Sequence, residues 1–266
     1  DRAVQTYRLA LSKRDALELQ GETRPPSDRV GLEICFERAL SGLWMAFQPI
    51  LHATDGTTYG HEALVRSSEP ALPGPNHLLE AAERLDALHR LGRTVRRLAA
   101  EPMHDVAGAG MLFVNLHPRD LADDSLYEPD TPLGKLAKRV ILEVTERASL
   151  ERVQGIQARV ARLREMGFRI AVDDLGAGYA GLASFALLEP DVVKLDMAII
   201  RDIDTNGVKQ KVVRSITTMC RDMGLLVVAE GIETRGERDA LVELECDLVQ
   251  GYHFARPDRP FPKAVW

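Results

Sequence analysis

An α/β fold, specifically a (β/α)8 TIM-like barrel with one antiparallel strand, is what this sequence predicts, and three observations predict it. Short apolar runs alternate with longer stretches of helical period, the pattern of α/β domains. Eight such runs lie between positions 47 and 249, the number a closed barrel of about 250 residues requires. The first two runs are joined only by His52-Ala53-Thr54-Asp55-Gly56-Thr57-Thr58. That is too short for a parallel crossover and carries the Asp-Gly hairpin signal, so one strand must run backwards.

Element by element, residues 1–42 read as a helical connector packed on the edge of the barrel, and 43–266 as the barrel domain. The connector holds a helix over 3–20 and a break at Arg24-Pro25-Pro26-Ser27. A second helix follows, capped by Ser27, running through Ile34 and Phe36 to Leu40 and stopped by Gly42. The strands fall at 47–51, 59–65, 111–116, 140–144, 168–172, 192–195, 225–229 and 247–249. Helices are expected at 76–100, 151–166, 179–188, 206–223 and 235–245.

Composition narrows the function. The 266 residues carry 34 basic and 40 acidic side chains, a net charge of −6, with 45% hydrophobic residues. This is neither a disordered chain nor a duplex-binding surface, which needs clustered cations. Two basic clusters, Arg93, Arg96, Arg97 and Lys135, Lys138, Arg139, read as solvated helix faces. No apolar run is long enough for a membrane span. The three separated cysteines, Cys35, Cys220 and Cys246, suit free, partly buried thiols and a cytoplasmic location. The opening Asp1-Arg2-Ala3 has neither Met nor a secretory stretch, so an upstream region is expected.

In such a barrel the chemistry gathers at the C-terminal ends of the strands. Those ends read Glu62, Asn115, Glu143, Asp173-Asp174, Lys194 with Asp196, Glu230 and Gln250, on strands two to eight. Any one of these acids is more simply a helix cap or a solvent-facing strand end. As a set on seven of eight strands they point to a shared rim. Clustered buried carboxylates are costly without cations, and hard oxygen donors suit Mg2+ or Mn2+. Adjacent Asp173 and Asp174 suit two ions sharing a carboxylate, and a two-ion site favours a phosphate ester.

Two other motifs are weaker. Gly176-Ala177-Gly178-Tyr179-Ala180-Gly181 matches G-x-G-x-x-G, but Asp173 and Asp174 would confront a bound pyrophosphate with bare negative charge. His61-Glu62 begins like a zinc-protease motif, but Val65 stands at its fifth position, where the second histidine is required.

Glu62-Ala63-Leu64-Val65-Arg66 resembles the signature of the EAL-domain phosphodiesterases, which hydrolyse cyclic di-GMP to linear pGpG. The resemblance runs from Phe47-Gln48-Pro49-Ile50 to Phe254-Ala255-Arg256-Pro257. Along it lie Phe113-Val114-Asn115-Leu116, Leu142-Glu143-Val144-Thr145-Glu146, Val172-Asp173-Asp174-Leu175, Val193-Lys194-Leu195-Asp196, Ala229-Glu230-Gly231-Ile232-Glu233-Thr234 and Val249-Gln250-Gly251-Tyr252. It implies a barrel with one antiparallel strand and a metal held by Glu62, Asn115, Glu143 and Asp173. A second metal is implied at Asp173, Asp174 and Glu230.

The resemblance further implies that Lys194 positions the attacking water, that Arg66 contacts a substrate phosphate, and that Gln48, Leu64, Gln250 and Asp196 belong to the nucleotide site. Glu146 would steady the 176–181 loop. Calcium is expected to inhibit, because its looser shell positions a nucleophile poorly. A homodimer and an upstream sensory domain are expected by the same analogy. Departures are Leu175, Ala177, Ala180 and Gly181 in the loop and His117 where serine is common; none removes an expected ligand. The alternative function is a non-catalytic cyclic di-GMP receptor.

Overall fold

The computed structural model of this chain describes residues 28–104, 106, 108–145, 154–176 and 181–266. The expected helix over 3–20, the Ser27 cap, Glu146, and the loop residues Gly178 and Tyr179 lie outside them. Helix α1 spans Arg29–Ser41 and is capped by Asp28, whose Oδ1 accepts from Gly31 N at 2.6 Å; Gly42 ends it. Its Leu32, Cys35, Phe36 and Ala39 are buried. They share one apolar cluster with Leu72, Leu78, Leu79, Leu88 and Leu91 of the segment after the second strand.

Strands β1 (Leu43–His52) and β2 (Thr58–Ser67) form the expected hairpin, antiparallel with Gln48 opposite Glu62. In its turn Asp55 Oδ1 accepts from Thr57 N at 2.9 Å and from Thr57 Oγ1 at 2.6 Å, and Gly56 takes φ 71°. Then follow β3 (Met111–Asn115), β4 (Val140–Thr145), β5 (Arg169–Leu175), β6 (Val192–Leu195), β7 (Leu226–Ala229) and β8 (Leu248–Val249). β2 through β8 pair in parallel, and β8 returns to β1 antiparallel through Leu51↔Val249 and His52↔Leu248. The barrel is closed, and β1 alone runs against both of its neighbours.

Seven strands contribute one residue each to a single apolar layer inside the barrel: Ile50, Phe113, Ile141, Ala171, Val192, Val228 and Leu248. All are essentially sealed from solvent, and each large member contributes about 1.5–3 kcal/mol by burial. Side chains alternate faces along a strand, so the next inward residue lies two positions on.

Three expectations on local structure are corrected. The expected helix over 76–100 is two helices, α2 (Pro75–Arg84) and α3 (Leu88–His104). Asp86 at φ 54° turns the chain between them, a conformation that Asp tolerates better than most residues. Lys135, Lys138 and Arg139 lie on or beside a short 3-10 helix, Gly134–Arg139, rather than on a full α-helix. Arg96, read as solvated, is buried, with its guanidinium against Asp120 and Asp123; apolar periodicity carries no signal for an arginine that finds its acids on another segment. The remaining described α-helices are α4 (Ile156–Met166), α5 (Gly181–Leu188), α6 (Met197–Ile200), α7 (Gly207–Asp222) and α8 (Arg235–Glu243).

Candidate active site

The alternation that builds the apolar layer also builds the site. Two residues beyond Phe113, Ile141, Ala171, Val192, Val228 and Leu248 come Asn115, Glu143, Asp173, Lys194, Glu230 and Gln250. On the reversed β1 the count runs the other way, from Ile50 back to Gln48, which faces Glu62. A layer of polar side chains therefore caps the hydrophobic plug at the strand ends, and period-two geometry alone stacks them.

Lys194 stands at its centre. Its Nζ lies 3.6 Å from Glu62 Oε2, 3.3 Å from Asp173 Oδ1 and 2.6 Å from Glu230 Oε1, and also pairs with Glu143 Oε1. The lysine is fully buried and so are all four acids. Burial disfavours the lysine's charge, but Asp173, Glu143, Glu230 and Glu62 outweigh it and hold the ammonium well above the ordinary lysine range. Glu143 is pushed well above the carboxylate range by burial and by Glu62, with Lys194 only partly offsetting this.

Asp174 would face away from Asp173 in a regular strand. A register irregularity between Val172 and Leu175, with Asp174 at φ 58°, breaks the alternation. As a result Asp173, Asp174 and Glu230 bring carboxylate oxygens within 4.8 Å of one another, all buried. A left-handed non-glycine residue costs of order 1 kcal/mol or more, and here the strained residue sits in the acid cluster.

Amides complete the ring. Asn115 Nδ2 donates to Glu62 Oε1 at 3.0 Å, and Gln250 Nε2 donates to Glu62 Oε2 at 2.7 Å and to Gln48 Oε1 at 3.1 Å. Gln48 is anchored in turn on Ala255 O at 3.1 Å. Glu143 Oε2 and Gln250 Oε1 are buried without a hydrogen-bond donor among the described residues. Five acids, one ammonium and acceptors still in need of donors or cations form a donor set that fits hard divalent ions.

The structure thus brings together Glu62, Asn115, Glu143, Asp173, Asp174, Lys194, Glu230 and Gln250. Two of them, Asn115 and Gln250, line a cleft whose wall also carries Gln48, Leu64, Arg66 and Tyr252. Asp196, directly after β6, caps α6, its carboxylate accepting from Ala198 N at 2.7 Å. Among the acidic and imidazole side chains of the cleft, three escaped the sequence reading of the site: His117, Asp120 and Glu233. Glu233 is held by Arg201 Nη1 at 2.6 Å. Its signal in sequence is its place in the segment Ala229–Thr234, three residues after Glu230.

His117 caps the short helix Pro118–Ala122, with its Nδ1 accepting from Arg119 N at 3.1 Å. Burial, reinforced by Arg119 and His89, lowers its pKa from 6.5 to about 4. Because the folded state disfavours the imidazolium, the unfolded chain binds more protons between those values. Stability is therefore complete above the window and falls through it as pH drops. Between pH 7 and pH 4, metal-free protein is expected to lose up to about 3 kcal/mol relative to His117→Asn in urea titrations. A gap between the two proteins that stays constant with pH would refute this.

Comparison with known proteins agrees with this architecture. A family model described as the EAL domain matches residues 36–257. Cyclic di-GMP phosphodiesterase NbdA of Pseudomonas aeruginosa is 34% identical over 225 residues, covering 81% of this chain and 29% of that protein. Probable cyclic di-GMP phosphodiesterase PdeI of Escherichia coli K12 is 30% identical, over 84% of this chain and 30% of its own length. The chain thus spans about a third of the length of these curated relatives.

Among solved structures, the PaMucR phosphodiesterase in complex with c-di-GMP superposes with TM-score 0.74 at 27% identity, over 86% of this chain and 98% of that one. The manganese and cyclic di-GMP complex of Klebsiella pneumoniae BlrP1 at pH 6 gives 0.70 at 31%, over 82% and 56%. With a matching model across most of its length and the strand-end acids of that signature gathered on one rim, this chain belongs to the EAL domain family.

Proposed function

We propose that this protein is a metal-dependent phosphodiesterase that hydrolyses cyclic di-GMP to linear pGpG. The observation that carries the reading is the convergence of Glu62, Glu143, Asp173 and Glu230 on Lys194 Nζ, with Glu62 bonded to Asn115 and Gln250 of the cleft wall. The donor set divides as Glu62, Asn115, Glu143 and Asp173 for one Mg2+ or Mn2+ ion and Asp173, Asp174 and Glu230 for a second. Divalent ions bound there supply charge neutralisation at the phosphate and a water of lowered pKa.

The chain's own residues do the rest. Glu62 is oriented from both sides by Asn115 and Gln250, so its carboxylate enters the site with a fixed geometry. Lys194 donates to the nucleophilic water and offsets charge as it develops on the phosphate. Arg66 and Leu64, on the same edge of the cleft, contact a phosphate and a base. Gln48 and Gln250 act on the nucleotide site partly through Glu62.

The test is purified protein with cyclic di-GMP and Mg2+ or Mn2+, with products separated by chromatography. Formation of pGpG that stops with chelator and returns with Mn2+ is the expected result, with Ca2+ failing to restore it. Tight nucleotide binding without pGpG under either ion would make the protein a receptor and overturn the catalytic reading. Full turnover in Ca2+ would show that the shell of the ion does not control the water.

A further inference from the structure

The loop that follows Asn115 at the end of β3 is tied to helix α3 by a buried ionic network that the reaction chemistry above does not use. Asp120 lines the cleft and is buried. Its Oδ2 accepts from the backbone N of His117 at 3.2 Å, and its Oδ1 meets Arg96 Nη1 at 2.8 Å. The other arm of the same guanidinium, Nη2, reaches Asp123 Oδ2 at 2.6 Å and Ser125 Oγ at 3.3 Å. Arg93 adds a second fork onto Asp123, at 2.7 and 2.9 Å.

His89, Asp120 and Asp123 by themselves have the spacing of a cation site. The Arg96 guanidinium lies against both carboxylates, so the protein supplies that cation itself. A planar two-armed group suits the task, since each arm lies against a different acid, Nη2 hydrogen-bonded to Asp123 and Nη1 in ion-pair contact with Asp120.

Glycine at position 92 makes this approach attainable. A Cβ there would overlap Asp120 Oδ1 and come within 2.9 Å of Arg96 Nη1. Helix α3 can therefore press its backbone against the Asp120 carboxylate only without a side chain at that turn. Meanwhile Leu116 N donates to Glu143 O at 2.9 Å. The two residues that follow Asn115 are thus pinned in succession, Leu116 to the β4 end and His117 to Asp120.

We infer that Arg96 and Asp120 are a positioning pair: anchored over Gly92, they fix the backbone that follows Asn115 and so set how Asn115 and Glu62 meet a divalent ion. This rests on the reading of Asn115 as a metal ligand. Neither residue touches the reacting atoms in this role; both act through Asn115.

The test uses the whole chain in three variants, with Mn2+ as the probe. Gly92→Ala displaces Asp120 while installing a better helix former, and Arg96→Lys keeps the charge but loses the fork. Arg90→Ala, on the same helix and paired among the described residues with the exposed Glu37, is the control. Calorimetric Mn2+ titration should show Kd raised about 10-fold or more in Gly92→Ala and Arg96→Lys, and unchanged in Arg90→Ala. In metal-free protein, hydrogen exchange at the His117 amide should quicken at least about 10-fold in the first two variants, as expected for an opened hydrogen bond.

If Arg96→Lys does not fold, Gly92→Ala decides alone. Unchanged Mn2+ affinity in a folded Gly92→Ala, or a loss no greater than in Arg90→Ala, overturns the inference. Wild-type protein that binds no Mn2+, with His117 exchange still quickened in Gly92→Ala, would instead sink the metal reading and leave the pinned loop standing.

Discussion

Glu62→Ala is expected to lower the turnover of cyclic di-GMP by about 10^3-fold, some 4 kcal/mol of barrier. The size follows from the position. Glu62 is fully buried on β2, faces Lys194, and accepts from both Asn115 and Gln250. Removing it takes a proposed metal ligand and the anchor of two amides in one step, and deprives Asn115 of that acceptor while Gln250 Nε2 keeps Gln48 Oε1.

The same substitution removes one of four acids crowded about a single ammonium. Metal-free Glu62→Ala should therefore keep much of its thermal stability through relieved repulsion, while the rise in Tm on adding Mn2+ shrinks or disappears. Initial rates and thermal melts with and without Mn2+ check both halves. Wild-type turnover in this variant would place the chemistry elsewhere.

Lys194→Ala carries the second large effect, and it should separate chemistry from binding. With Nζ gone, kcat is expected to fall by about 10^2–10^4-fold, with KM for cyclic di-GMP changed by no more than about threefold. The lysine lies beneath the cleft among the acids, fully buried, rather than on the wall that meets the nucleotide. A matching loss in affinity would contradict its role with the water.

This variant should also be destabilised when metal-free. Glu62, Glu143, Asp173 and Glu230 lose the ammonium they share, and breaking a buried ionic cluster from one side costs about 3–5 kcal/mol. Glu143, already raised by burial and by Glu62, would be driven further toward its neutral form. Mn2+ should restore much of the lost stability, since it replaces the missing positive charge. A melt insensitive to both the substitution and the ion would mean that the acids are neutralised by something other than cations.

Some of this was available from residue order alone. Strands follow from apolar runs, the reversed β1 follows from a connection too short to cross the barrel, and 192–195 was read to the residue as β6. Glu143, Asp173 and Glu230 were legible for the same local reason: each stands two positions beyond an inward apolar residue, and period-two alternation then puts it on the inside. Residue type supplied the rest, because so many buried carboxylates call for cations.

Other features took shape only in three dimensions. That Asp174 joins Asp173 instead of facing away depends on a left-handed residue at a register irregularity, which nothing in its neighbours announces. That Gln250 grips Glu62 across 188 residues of sequence depends on closure of β8 onto β1. Arg96 looked like a solvent-facing helix residue until the loop after β3 brought Asp120 and Asp123 against it over Gly92. Local pattern decides which face a side chain takes, whereas its partner is set by how closely distant segments approach. That approach is a property of the closed barrel and of no single stretch of chain.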